Sequence, residues 1–435
     1  MAKQDGGIGP ALASATCTLL GSAPAAGLAQ DARSWEVDTA LMYYGESDER
    51  VQDASLGIAA RRDFDDDRLL DLNLTVDTLT GASPSGAVAQ SSAQTFTSPS
   101  GNATYSTPAG EIPLDDTFLD TRFALGAGWT QPFARLYEAS AGISFSTEYD
   151  YTHLGANVGL TRDFNRRNTS VSLALAYAAD DVDPVGGTPL PLSTMLEVGD
   201  LSNRRGKESK DVIDVVLGVT QVVSRTTIVR FNYSFSTASG YLNDPYKFLS
   251  VVDAVTGDTL VHPLAPGAEG PTGIYRFESR PDSRTKHAAY GEVKHYLGGK
   301  VLDVAYRFMT DDWGIDSHTL ETRLRWPVGA ASYLEPHVRY YTQTAADFYR
   351  MSLDSGQTLP QFASADYRLG EFDAVTVGLK LGHETRSGNE WNVRFEYYRQ
   401  AGDVPAGQLI GNQLARPQLP DLDAVIVQAS YRFRL

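Results

Sequence analysis

Cysteine is nearly absent from this chain, since Cys17 is the only one among 435 residues. It lies in a small, apolar N-terminal segment that predicts an export signal, cleaved after Ala29. Residues 1–29 are therefore expected to be removed, and Ser14-Ala15-Thr16 lacks the leucine of a lipoprotein signal. The remaining chain, 30–435, has no cysteine, which excludes a disulfide framework, a thiolate metal site and a haem-attachment motif.

Long apolar runs and positive charge are also scarce. No stretch in the body of the chain offers the run of about 18 apolar residues that a membrane helix needs, and long helical periodicity is missing. Asp and Glu number 54 against 37 Lys and Arg, which gives a formal net charge of −17. This balance argues against nucleic acid as a partner.

Strand periodicity is abundant instead, and it is clearest in the last thirteen residues. Alternate positions there are apolar or aromatic on one face and largely polar on the other, so the strand needs two different environments. The ending resembles the C-terminal strand by which outer-membrane β-barrels are recognised for assembly. Its predicted assembly signal is Tyr431, Phe433 and Leu435, with leucine in place of the usual final aromatic residue.

About sixteen alternating segments of some ten residues follow one another from Trp35 onward, and ten residues is the length that crosses a bilayer as a tilted strand. Alternate links between them are short: Asp63–Arg68, Gln131–Leu136, Phe164–Asn168, Ser224–Thr226, Leu297–Lys300, Pro327–Ser332 and Thr385–Glu390. The intervening links are often long: Leu79–Asp120, Ala178–Ser209, Ala238–Arg284, Gln343–Arg368 and Gln400–Leu422. A soluble sandwich has no reason to keep this parity. It predicts an all-β fold, a transmembrane antiparallel up-and-down β-barrel of about 16 strands that forms one domain over 30–435, with short periplasmic turns and long extracellular loops.

Several stretches go beyond generic barrel patterning: Gly240–Lys247, Ser279–Arg284, Tyr306–Ile315, Glu335–Gln343 and Ala346–Tyr349. Together they resemble a Gram-negative family catalogued as a domain of unknown function, number 3570. The resemblance implies an outer-membrane barrel without an established activity. We therefore expect a protein that is exported through the periplasm to the outer membrane, with membrane lipid and the barrel-assembly machinery as partners.

Charged residues that face the predicted lumen are unevenly distributed. The acidic wall is Glu36, Asp38, Asp53, Asp71 and Asp77, and the basic wall is Arg230, Arg307, Arg323, Arg325, Arg339 and Arg394. Opposite signs on opposing walls would create a transverse field that filters solutes by charge. Alternatively, Asp303/Arg307, Glu321/Arg323 and Glu335/Arg339 pair across neighbouring strands, solvate the interior and only stiffen the wall.

The middle strands present small inward residues: Ser140, Gly142, Ser144, Ser146, Gly155, Asn157, Gly159, Ser170 and Ser172. Small residues on one wall leave room for something to lie against it. The long segment 238–284 either folds inward as a constriction or stands above the rim as a hairpin around Thr256-Gly257-Asp258.

A cluster at the rim is the best sequence candidate for chemistry, and it comprises Asp311, Asp312, Asp316 and His318. Such residues resemble those with which outer-membrane aspartyl-type proteases activate water. They could also hold Ca²⁺, or simply form a tight turn at Gly314. No Gly-x-Ser-x-Gly motif or phosphate-cradling loop is present, so we expect neither an enzyme nor a cofactor.

The function that this pattern favours is a passive, porin-like channel for small polar or anionic solutes. One alternative is a barrel that acts as a scaffold or sleeve for another exported component, such as a separate electron carrier or a surface assembly. That protein partner would lie in the periplasm or outside the cell. Another alternative is a hydrolase at the rim.

Overall fold

Sixteen antiparallel strands form the wall of a closed barrel in the computed structural model, which describes residues 35–47, 50–64 and 67–435. The predicted export signal, 1–29, lies outside the described residues. The strands are β1 Trp35–Glu46, β2 Val51–Asp63, β3 Leu69–Pro84, β4 Leu114–Phe133, β5 Tyr137–Thr147, β6 Tyr151–Phe164, β7 Thr169–Val182, β8 Glu208–Ser224, β9 Thr227–Gly240, β10 Ser283–Leu297, β11 Lys300–Asp311, β12 Asp316–Val328, β13 Ser332–Gln343, β14 Glu371–Glu384, β15 Glu390–Asp403 and β16 Leu422–Arg434. The predicted fold class and strand number are confirmed.

Period-two alternation determines which side chains face outward. In β6 the outward residues Leu154 and Val158 are 61% and 54% exposed, whereas the inward His153 and Asn157 are 1% and 8% exposed. An apolar outer face is stable only against lipid, because water would have to solvate the whole belt. The exterior is thus built for a bilayer.

The barrel closes where the two ends of the described chain meet. β1 pairs with β16 in a register that sets Val37 opposite Phe433, and Trp35 and Leu435 exchange backbone hydrogen bonds of 3.0 and 2.9 Å. Closure removes the free sheet edge, so every wall strand finds backbone partners on both sides without water.

Links of two very different lengths join the strands at the two ends. Turns of two to five residues join β2 to β3 and every second pair of strands after that. We term the end of the barrel where these turns lie the short-turn end. Five long loops and three tight turns lie at the opposite, long-loop end. The predicted parity is therefore confirmed, and outward aromatics such as Trp129, Trp326 and Trp391 lie near the short-turn end, as an interface girdle does. No helix among the described residues is long and apolar enough to span a membrane.

The five long loops, 85–113, 183–207, 241–282, 344–370 and 404–421, pack on one another and form what we term the cap. Residues 248–252 pair with 275–277 antiparallel and with 352–354 in parallel, so a small sheet unites two loops. Apolar side chains fill the interior of the cap. One cluster comprises Ala87, Phe96, Tyr105, Met195, Phe248, Tyr275 and Phe277. The cap is therefore a packed body with its own core.

Loop 241–282 lies mainly in the cap, and the contact of its base with inward wall residues places that base at the barrel mouth. Leu242 packs against the inward Ala178, Val212 and Ala238, so the loop enters the barrel mouth. Its outer part forms the predicted turn, with a hydrogen bond from Asp253 N to the carbonyl oxygen of Asp258. The main partners of its first strand, however, are 275–277 and 352–354 rather than 259–261.

Candidate functional site

The acidic wall is largely paired with neighbouring arginines. Asp71 accepts from Arg61 at 2.6 Å, and Asp77 accepts from Arg122 at 3.0 Å. Across the closure, Arg432 lies 3.0 Å from Asp38, and Arg434 lies 3.4 Å from Glu36. Asp53 accepts a hydrogen bond of 2.8 Å from Ser55. The field from this wall is therefore locally compensated.

Most of the basic wall is compensated as well. Arg230 lies 3.3 Å from Glu292, and Arg323 contacts Glu321. A chain of ion pairs then runs across β12 to β15, as follows: Glu321 to His337 at 3.2 Å, His337 to Glu396 at 2.8 Å, Glu396 to Arg394 at 3.4 Å, and Glu335 to Lys380 at 3.3 Å. This network cross-links four strands from the lumen side.

Three arginines of the basic wall differ from the rest. Among the described residues, no carboxylate lies within ion-pair distance of Arg307, Arg325 or Arg339. Arg325 stacks on the Tyr333 ring at 3.7 Å. Arg307 and Arg339 are exposed and face the lumen on β11 and β13, and Glu321 lies directly across from Arg339.

Two of the three pairs suggested by the sequence do not form. Asp303 lies 3.4 Å from Lys294, and Glu335 contacts Lys380 and Arg394. The reason is spacing: residues four apart on one strand share a face but lie about 13 Å apart, whereas the residue directly across a strand is close. Lys294 lies directly across from Asp303. The predicted Glu321/Arg323 contact, two residues apart, does form.

Tyrosines line the lumen below the cap. Tyr44, Tyr341 and Tyr398 each donate a hydrogen bond to the residue two positions further on the same strand, at 2.9, 2.7 and 2.7 Å. The acceptors are Glu46, Gln343 and Gln400. These three bulky, hydrogen-bonded rings occupy lumen space on the side that also carries Arg339.

A buried ionic core fastens the cap. Arg280 of loop 241–282 lies 2.6 Å from Glu278 and 2.7 Å from Asp366. Arg368 of loop 344–370 lies 2.8 Å from Asp366 and 2.6 Å from Asp244. We term these five residues and Lys247 the latch. The latch joins the two loops to the wall, because Lys247 donates a hydrogen bond of 2.9 Å to Ser83.

The protonation of the latch follows from burial and pairing. Burial raises the pKa of Glu278 to about 7, although Arg280 opposes the shift. Burial alone would also raise the pKa of Asp366, but Arg368 and Arg280 outweigh it and hold that pKa below its usual range. Glu278 is thus the member of the latch whose charge changes near neutral pH.

The rim cluster forms a structural turn in which its members have separate partners. Asp311 binds Arg284 at 2.6 Å and accepts from the backbone N–H groups of Trp313 and Ile315. Asp312 accepts from Thr285 N. His318 faces outward and bonds to Tyr306 at 2.7 Å, and Asp316 is exposed. The four side chains do not converge on one position.

Three carboxylates converge elsewhere at the long-loop end, since oxygens of Asp120, Glu148 and Asp150 lie within 4.8 Å of one another. Asp150 already accepts from the Tyr246 hydroxyl, and Asp120 accepts from Tyr149 N at 3.2 Å. These carboxylates therefore anchor loop 241–282 and the β5–β6 turn.

The residues of the predicted assembly signal lie on the outer face of β16. Tyr431 accepts a hydrogen bond of 2.9 Å from Asn389, and its ring stacks on Phe433 with centroids 5.6 Å apart. Leu435 is 72% exposed. Their role in assembly stays a prediction.

The latch is the part of the site that sequence reasoning missed. Its residues come from two loops, and Asp244 and Arg368 are 124 positions apart. The available signal was the charge in Gly240–Lys247 and Ser279–Arg284, which the family resemblance had already singled out.

Comparisons with known proteins identify a family to which no activity is assigned. The sequence profile of a family described as "Protein of unknown function (DUF3570)" matches residues 9–433. No curated protein matches the chain. Among solved structures, the outer membrane protein opdK from Pseudomonas aeruginosa is 10% identical, with a TM-score of 0.37, over 92% of this chain and 99% of that one.

Two further solved structures are similar to the chain at the same low level. A bacterial polysaccharide outer membrane secretin is 9% identical, with a TM-score of 0.43, over 93% of this chain and 100% of its own. The ferric enterobactin receptor PfeA from Pseudomonas aeruginosa is 9% identical, with a TM-score of 0.43, over 87% of this chain. The match spans only 56% of the receptor chain.

Proposed function

The chain belongs to the DUF3570 family, whose description assigns no activity, and we propose from the lumen itself that it is a passive channel for small polar solutes, with a preference for anions. It acts in the outer membrane of a Gram-negative bacterium, after export through the periplasm and insertion by the barrel-assembly machinery. The channel is the barrel lumen, which the cap, held by the latch, covers at one end.

The observation that carries the proposal is a pair of exposed lumen arginines: among the described residues no carboxylate lies within ion-pair distance of Arg307, and the carboxylate across from Arg339, Glu321, is already in contact with Arg323. Arg307 and Arg339 lie two strands apart, and the register sets Tyr341 across from Arg307 through Thr319. Two strand spacings amount to about 10 Å, so both guanidinium groups act on the same short length of lumen. Distant loop charge is screened over a Debye length of about 8–10 Å, so the local positive wall governs which ions pass.

Reversal potentials in a salt gradient test this preference. We expect wild-type channels in planar bilayers to favour anions, and Arg307→Gln with Arg339→Gln to shift the reversal potential toward cations. The matched control is Asp77→Asn with Arg122→Gln, which removes a neutral pair from another part of the wall and should leave the potential unchanged. A conducting double-arginine variant with an unshifted potential would rule out the selectivity.

A further inference from the structure

Three inward residues on neighbouring strands form an arrangement that the channel proposal does not use. The imidazole Nε2 of His153 on β6 lies 3.1 Å from the Ser144 hydroxyl on β5. Its Nδ1 lies 2.7 Å from Asp180 on β7. A hydroxyl, an imidazole and a carboxylate in this order are the parts of an activated serine nucleophile.

The hydrogen bonds determine the direction of proton transfer. The Asp180 carboxylate accepts from the Tyr151 hydroxyl at 2.5 Å and lies 3.6 Å from Lys210 Nζ, and its other oxygen is the acceptor next to His153 Nδ1. The Nδ1 of His153 must then carry the proton that it donates to Asp180. In the neutral ring, Nε2 is left as the acceptor for the Ser144 hydroxyl.

A glycine makes the serine–histidine contact possible. A methyl group on Gly155 would lie 2.5 Å from Ser144 Oγ and 2.9 Å from His153 Nε2. Any side chain here would therefore separate the two groups. Packing of a glycine against a serine does not by itself bring a histidine to the serine, because Gly159 lies against Ser140 in the same way without a histidine.

The surroundings of Ser144 fit acyl transfer. Ser144 is half-buried and faces the lumen, whereas His153 and Asp180 are each 1% exposed. The carboxamide of Asn73 lies over Gly126, which is directly across from Ser144, and that of Asn157 lies over Gly142, two positions before Ser144 on β5. Carboxamide N–H groups are suitable donors to a developing oxyanion. The wall around Ser144 also carries the small residues Gly126, Gly142 and Gly155, which leave room for a short acyl group.

We propose that Ser144, His153 and Asp180 form a hydrolytic site in the lumen that cleaves short carboxylic esters. Ser144 Oγ bonds to the ester carbonyl carbon as its proton passes to His153 Nε2. The ester C–O bond breaks, and the leaving alcohol takes that proton. Water then attacks the acyl-serine, gives a proton to His153 and releases the acid, after which Ser144 regains its proton.

Labelling with a small fluorophosphonate, which reacts with activated serines, tests the site on the purified full-length protein in detergent. We expect one adduct, mapped to Ser144, and hydrolysis of p-nitrophenyl acetate above the uncatalysed rate. Ser144→Ala should abolish both, whereas Ser140→Ala should retain both. Asp180→Asn should reduce hydrolysis by as much as about 10⁴-fold through the loss of the correct imidazole tautomer.

A second pair of variants separates the proposal from a merely structural hydrogen bond. Gly155→Ala should lose the adduct because it parts Ser144 from His153, whereas Gly159→Ala should keep it. Heat-modifiable migration of each variant verifies that the barrel has folded. An unlabelled folded wild type, or an adduct that persists in Ser144→Ala, would overturn the hydrolytic site. Because the channel is tested by current, either function could fail without the other.

Discussion

Whether a charged residue in this barrel is compensated depends on which residue lies directly across from it on the neighbouring strand. Lys294 compensates Asp303, and Lys380 compensates Glu335, so in the described part of the chain neither carboxylate pairs with Arg307 or Arg339, and the acid across from Arg339 is Glu321. The sequence identified these arginines as inward but suggested partners on the same strand, about 13 Å away. Period two predicts the face of a residue, whereas its partner depends on the register between strands, which local pattern does not supply.

Glu278 gives the cap a pH dependence whose sign follows from its pKa. The folded value is about 7 against an ordinary value of 4.5, so between these limits the folded cap holds more protons than the unfolded chain. Cap stability therefore falls as pH rises through this window. Asp366, whose pKa is lowered, has the opposite effect: its contribution to cap stability is lost as the pH falls below the usual pKa range of an aspartate.

Hydrogen exchange of loop 241–282, corrected for intrinsic rates, measures this effect. We expect greater protection at pH 5.5 than at pH 8 in the wild type, since protonated Glu278 needs less compensation from Arg280. Glu278→Gln should give protection that depends little on pH. An undiminished pH dependence in the variant would assign the effect to another group.

Among the elements, the wall strands were predictable because alternation and link length are local properties of the sequence. The cap was not, because its sheet pairs 248–252 with 352–354, about a hundred positions away, and contacts of that range leave no period in the sequence. The contact of Ser144 with His153, nine positions away, escaped prediction because it depends on the register between β5 and β6. The small wall was predicted, but its histidine acts from the neighbouring strand.

The terminal strand β16 provides a prediction at this scale. Phe433→Asp places a charge on the lipid face near the short-turn end, where the stability cost for a barrel is only about 0–1 kcal/mol. We therefore expect failure of assembly rather than of stability, with a loss of heat-modifiable barrel from the outer membrane and accumulation of protease-sensitive chain in the periplasm. Arg434→Gln, on the lumen side of the same strand, is the control. Normal amounts of folded barrel in the Phe433 variant would argue against an assembly signal at this position.

The whole molecule combines a water-compatible interior with a cap that is latched across one end. Its net charge of −17 says little about selectivity, because most of the described lumen charges are paired and the others are of both signs, with Arg307 on β11 and Asp214 on β8 among them. A scaffold or sleeve for another exported component would use the same wall but would not need uncompensated arginines in the lumen. Conduction is therefore what separates the two functions.

Single-channel recording in planar bilayers tests the central claim most directly, with wild type and Arg368→Ala measured side by side. The variant breaks a buried ion pair, a loss of about 3–5 kcal/mol, and so loosens the cap without changing the barrel wall. The account predicts discrete current steps in the wild type and larger or longer-lived steps in Arg368→Ala. A folded barrel that stays silent in both forms would contradict a channel.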